Sequence, residues 1–112
     1  MENIRYFSFS LAKSIGIIEA IFLQELYKII LANKSMCVIE DGAIWFPCAI
    51  KEWKNYMDLW SYQQTNRIVQ NCLMSKHLFL RHYDTDERRR RGWYAINPDI
   101  VPQLEQVNQV IK

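Results

Sequence analysis

Two stretches of this chain carry side chains suited to binding. Between positions 63 and 71 lie Gln63, Gln64, Asn66, Arg67, Gln70 and Asn71. A carboxamide presents a donor and an acceptor at the spacing of an adenine edge, and a guanidinium matches the two acceptors of guanine. The second stretch is Arg88, Arg89, Arg90 and Arg91, four consecutive guanidiniums. Such a run neutralises phosphates, which positions a protein on nucleic acid without reading sequence. One stretch can read bases and the other can hold the backbone, so double-stranded DNA is the partner these residues suit.

The charge distribution supports that expectation. The net charge is only +2, from 14 basic and 12 acidic residues, and it becomes −2 without the four arginines. Positive charge is thus concentrated at one place, as in a nucleic-acid footprint. The span from Tyr62 to His82 contains no Asp or Glu. Ordinary solvated helices mix Glu with Lys for pairing and solubility. A surface that meets phosphates must instead avoid like charge. Asp84, Asp86 and Glu87 share the arginine loop and partly offset it.

Other chemistries find no support. Cys72, His77 and His82 lack the paired spacing of a zinc site, so no metal is expected. There is no nucleophile elbow, phosphate-cradling glycine loop or zincin helix, and no ordered triad, so neither catalysis nor a cofactor is expected. Cys37, Cys48 and Cys72 are odd in number and widely spaced, which suits small buried hydrophobes rather than a disulfide framework. Trp45, Trp53, Trp60, Trp93 and Tyr94 fall at element ends, where they suit a core and its corners better than base stacking.

The elements that must position these residues follow from length and pattern. A chain of 112 residues makes one compact domain, spanning 1–112. Half its residues are hydrophobic and 13% aromatic, enough for a buried core and against disorder of the whole chain. The most apolar stretch, Ile15 to Ala32, is broken by Gly16, Glu19, Gln24, Glu25 and Lys28, so no membrane span is expected. No signal-peptide pattern opens the chain, which points to a cytoplasmic protein.

Ser8 to Ser14 reads as a helical turn ended by Gly16. Ile17 to Asn33 reads as a helix apolar on more than one stripe, either central in the core or part of a subunit contact. Met36–Ile39, Asp41-Gly42 and Ala43–Phe46 read as a hairpin that Pro47 ends. Ile50 to Asp58 reads as a second helix, with Leu59-Trp60-Ser61 as the turn. Ser61 then opens a third helix, with Gln64 completing a capping box, running to about Lys76. Tyr62, Thr65, Val69, Cys72 and Leu73 are expected to face the core there. Leu78–Tyr83 and Gly92–Ile96 alternate as strands around a charged loop, Asp84 to Arg91. Asn97-Pro98 opens a last helix with Ile100, Leu104, Val107 and Ile111 along one stripe.

This order is that of a winged helix-turn-helix, a mainly α fold with a small β-hairpin, with the helix after Ser61 as reader and Asp84–Arg91 as wing. Four stretches further resemble the N-terminal winged-helix domain of phage and plasmid replication initiators, the replisome-organiser and DnaD-like group. They are Leu11 to Gln24; Ile44-Trp45-Phe46 with Glu52-Trp53; Leu59-Trp60-Ser61; and Gly92 to Asn97. The resemblance spans residues 4–97 and implies DNA binding by the Gln63–Asn71 helix and the wing. The chain departs from the family in two ways. Only Arg67 and Lys76 supply charge to the reading helix, and the family's second, oligomerising domain has no counterpart in these 112 residues. Origin melting and helicase loading are therefore not expected to carry over simply from the resemblance.

Two further expectations concern partners. The broad apolar surface of Ile17–Ala32 and the 98–112 helix suggest a homodimer reading two half-sites. The modest net charge leaves a protein-interaction module of a mobile element, directed at a host protein, as the alternative to a replication or transcription role.

Overall fold

The computed structural model describes residues 6–82 and 92–110. Helix α1, Phe9–Ile15, starts at Ser8, whose Oγ accepts from the Leu11 N–H at 3.2 Å. It ends at Gly16, which is also the residue before helix α2, Ile17–Ala32. Gly16 has φ 116° and ψ 151°, a region open essentially to glycine alone. Two helices therefore meet with no loop between them. Gly16→Ala is expected to cost about 1–3 kcal/mol through that backbone strain. Urea unfolding checks it: the midpoint should fall with little change in slope.

α2 is the centre of the core. Ala20, Phe22, Leu23, Leu26, Tyr27 and Ile30 are buried along it, on more than one side. Its breadth of apolar surface is thus largely used within the chain, and of its large apolar side chains Ile17 and Ile18 at its start are the exposed ones. The buried Gln24 donates from Nε2 to the Leu104 carbonyl at 3.0 Å, and the Tyr27 hydroxyl donates to Glu105. These bonds tie helix α5, Val101–Val110, to α2. Leu104 is fully buried there, so the centre of the expected dimer stripe is already packed inside the chain. Ile111 lies outside the described residues.

The Tyr27 pKa is pushed up to about 12, first by burial, then by the hydrogen bond and charge of Glu105. The fold thus favours the neutral phenol. Stability from this group is complete below the unfolded value near 10 and is lost as pH rises through about 12. Burial raises the Tyr94 phenol as well, so an ultraviolet titration should show late-ionising tyrosines, and Tyr27→Phe should remove one of them. Glu105→Gln should bring it down.

Strand β1, Val38–Glu40, and strand β2, Ala43–Cys48, form a hairpin through Asp41 and Gly42. Both turn residues have positive φ, 55° and 74°, as a two-residue hairpin turn matching strand twist requires. β2 continues through Pro47, which sits opposite Trp93. Pro47 therefore does not end the strand, contrary to expectation. Alternation along β2 aims its missing N–H away from β4, on the side where β1 has already ended, so no ladder bond is lost.

The expected helix Ile50–Asp58 is instead a 3₁₀ turn, Ile50–Glu52, followed by the single-turn helix α3, Trp53–Tyr56. Met57 is already extended, at φ −135° and ψ 113°. Trp53 lies between Phe22 and Tyr94, with ring centroids 5.5 and 5.1 Å away, and Met57 is buried beyond it.

Helix α4, Tyr62–Met74, starts at Ser61 with reciprocal bonds: Gln64 N–H to Ser61 Oγ at 3.2 Å, and Ser61 N–H to Gln64 Oε1 at 2.9 Å. It ends with Lys76 in the left-handed region, φ 63°, while His77 N–H reaches the Cys72 carbonyl and Lys76 N–H the Leu73 carbonyl. That is the Schellman closure, built here without glycine. Strand β3, Leu78–Arg81, stops short of the expected Tyr83, which lies outside the described residues. Strand β4, Gly92–Ile96, pairs with it in antiparallel register. Asn97 then caps a 3₁₀ turn, Pro98–Ile100, that leads into α5.

Among the described residues the architecture is α+β: five α-helices and a four-stranded antiparallel sheet in the order β1-β2-β4-β3. One sheet face, with Phe46, Cys48, Leu78, Tyr94 and Ile96, joins the helical core. The other carries Ala43, Trp45 and Ala95, flanked by Phe79 and Trp93. Arg81 covers part of this second face, its guanidinium 4.2 Å from the Trp45 ring centroid and 2.9 Å from both Glu40 and Asp41. Among the described residues no helix is long and apolar enough to cross a membrane.

Candidate nucleic-acid interface

α4 divides into two faces. Thr65, Ile68, Val69 and Cys72 are buried, anchoring the helix to α2 and the sheet. Gln63, Gln64, Arg67, Gln70 and Asn71 are exposed, and Asn66 is half-buried. Five of the six residues singled out on this helix therefore share access to solvent. The inward set differs from expectation in two places. Tyr62 is 49% exposed rather than in the core, because it opens the helix ahead of the packed turns. Ile68, not singled out in the sequence, is buried; it follows Thr65 by three residues, a spacing that could have revealed it.

The exposed residues are not equally free to bind. Gln64 spends its Oε1 on the cap at Ser61. Asn71 donates from Nδ2 to Glu19 Oε2 at 3.1 Å. Glu19 thus brings a carboxylate to a helix that has none in its own sequence. Nothing local in the chain signals this, since the two residues are 52 positions apart. Gln63, Arg67 and Gln70 remain on the exposed surface of the helix. Met74, one turn beyond Gln70, is 81% exposed.

Arg88, Arg89, Arg90 and Arg91 lie outside the described residues, as does the whole of the expected wing, Asp84–Arg91. The strands that flank it are described. β3 and β4 are antiparallel, with Arg81 opposite Trp93, so the intervening chain leaves and rejoins the sheet at one end.

The remaining chemistry is quiet. Cys72 is buried and its thiol pKa is pushed up to about 12, by burial first and by the Glu19 charge second. Burial also raises the half-buried Cys37 thiol. Both are held as neutral thiols, poor nucleophiles and poor metal ligands. Among the described residues no group of three or more His, Cys, Asp or Glu is gathered for a metal. An open apolar groove of about 410 Å³ lies between α2, the β1–β2 turn and α5, with Ile30, Ile44, Ile96 and Val101 in its lining and Lys34 beside them. No α4 residue lines it.

Compared with known proteins, the chain matches no family model, no curated protein and no solved structure.

Proposed function

We propose that this chain is a winged helix-turn-helix that binds double-stranded DNA, with α4 in the major groove and Arg88–Arg91 on the phosphates. The observation that carries this reading is the split of α4 into a buried apolar face and an exposed face of Gln63, Gln64, Arg67, Gln70 and Asn71. Its support is the order of elements: helices α3 and α4 joined by a short turn, then an antiparallel pair, β3 and β4, around the basic segment. The aromatic cluster of Phe22, Trp53 and Trp60 fixes the α3–α4 turn against α2, which makes α4 a rigid reader. No catalytic role is part of this proposal. The resemblance to replication initiators makes replication initiation or regulation in a phage or mobile element the role we attach to it.

A mobility-shift titration on duplex DNA at two salt concentrations tests the reading. Binding should weaken steeply with salt, since each neutralised phosphate contributes a slope of about −0.9 in log–log terms. A chain that binds no duplex even at low salt contradicts it.

One observation favours a second reading, a module that binds a host protein. Met74 is 81% exposed on α4, and Ile18, beside the Glu19 that bonds Asn71, is 50% exposed. Apolar groups on a polar helix face suit a protein partner. In that case Met74→Ser should weaken the protein complex, with no duplex bound by the parent chain.

A further inference from the structure

We propose that Glu19 on α2 is a positioning residue for base recognition: it holds Asn71 so that the amide carbonyl faces outward, toward an exocyclic amine of adenine or cytosine. The inference rests on the duplex-binding reading above and deepens it.

A carboxylate only accepts hydrogen bonds, so the Asn71 amide can meet Glu19 in one orientation alone. The Nδ2 group points at Glu19 Oε2, 3.1 Å away, and Oδ1 points elsewhere. An unrestrained asparagine turns its amide over readily; this one has a fixed polarity. The Glu19 side chain is itself seated by the helix junction. A Cβ on residue 16 would lie 2.5 Å from Glu19 Oε1, so the carboxylate as seated uses space beside the glycine that a larger residue would make it yield. Gly16 thus serves two ends: its backbone joins α1 to α2, and its missing side chain admits the group that orients Asn71. The proximity of Glu19 to α4 also shows in its effect on the Cys72 thiol.

In the major groove the amines of adenine and cytosine are donors, whereas guanine O6 and N7 and thymine O4 are acceptors. An outward carbonyl accepts from the first two and repels the others. Glu19 also brings a negative charge near the phosphates, so it trades general affinity for orientation.

Selection from a randomised duplex library, using the full chain and its variants, tests this. The parent should enrich adenine or cytosine at one position, and Asn71→Ala should abolish that preference. Glu19→Ala should reduce it by about tenfold at that position alone, within the range of one good base contact. Glu19→Gln, whose amide can either accept from Nδ2 or donate to Oδ1, no longer fixes the polarity of Asn71, so it should weaken the preference while binding all duplexes more tightly. Glu19→Ala with the parent's preference, or guanine or thymine selected at the position that depends on Asn71, overturns the inference while leaving duplex binding intact. No enrichment of any duplex by the parent overturns the duplex reading, and this inference with it.

Discussion

Changing Arg88, Arg89, Arg90 and Arg91 together to alanine is expected to abolish most duplex affinity at moderate salt and to flatten its salt dependence. Up to four phosphate contacts would be lost, and the slope of log K against log salt should fall by roughly 3–4. The loss should be similar for every duplex, because phosphate contacts carry no sequence information. Arg67→Ala should behave differently. It sits on the exposed face of α4, where a guanidinium can meet guanine, and its loss should cost about 1–3 kcal/mol on the preferred site and little elsewhere. Fluorescence anisotropy over a salt series, on preferred and scrambled duplexes, separates the two behaviours. Equal slopes for the parent and the fourfold variant would place the phosphate contacts somewhere other than the wing.

Trp53→Ala is expected to have the largest effect on stability. The indole is 2% exposed and lies between Phe22 of α2 and Tyr94 of β4. Its removal takes away a large buried ring and leaves a cavity where three elements meet. Such changes cost about 3–5 kcal/mol. A domain of this size holds on the order of 5–15 kcal/mol in total, so much of the margin would go. Urea unfolding followed by circular dichroism should show the midpoint falling sharply. Because α3 and α4 are oriented by this ring, duplex affinity should fall too, and recover when stabilising conditions restore the fold. A midpoint close to the parent's would mean that α4 is held by something other than this aromatic cluster.

Local chemistry made many of the elements legible in the sequence. Asp41-Gly42 marks a hairpin because two successive positive-φ residues are needed there. Ser61 and Gln64 mark the start of α4 because each satisfies the other's free N–H. Gly16 marks the α1–α2 junction because other residues avoid its conformation. Elements set by packing across the molecule were less legible. Ile50–Asp58 has helical spacing, yet the helix stops after Tyr56 and Met57 is buried from an extended backbone, an arrangement that the spacing alone does not display. Pro47 reads as a terminator, and only its position beyond the end of β1 shows why the strand tolerates it.

The candidate site shows the same division. The exposed amide face of α4 follows from residue types at helical spacing, which the sequence displays directly. The Glu19–Asn71 contact does not, because it joins α2 to α4 and depends on how the helices are packed. The absence of acidic residues from Tyr62 to His82 therefore describes the segment and not the surface around it. Similarly, the apolar stripe of α5 reads as a surface for a second copy, but Leu104 finds its partner in α2.

The most direct test of the central claim follows the side-chain amide signals of Gln63, Gln64, Gln70 and Asn71 by nuclear magnetic resonance during titration with duplex DNA at low salt. These signals should shift together with the Arg67 guanidinium, while those of the distant groove at Ile30, Ile44 and Val101 stay in place. Amide signals on α4 that do not move while the duplex is bound, or shifts confined to the groove, would contradict α4 as the surface that meets DNA.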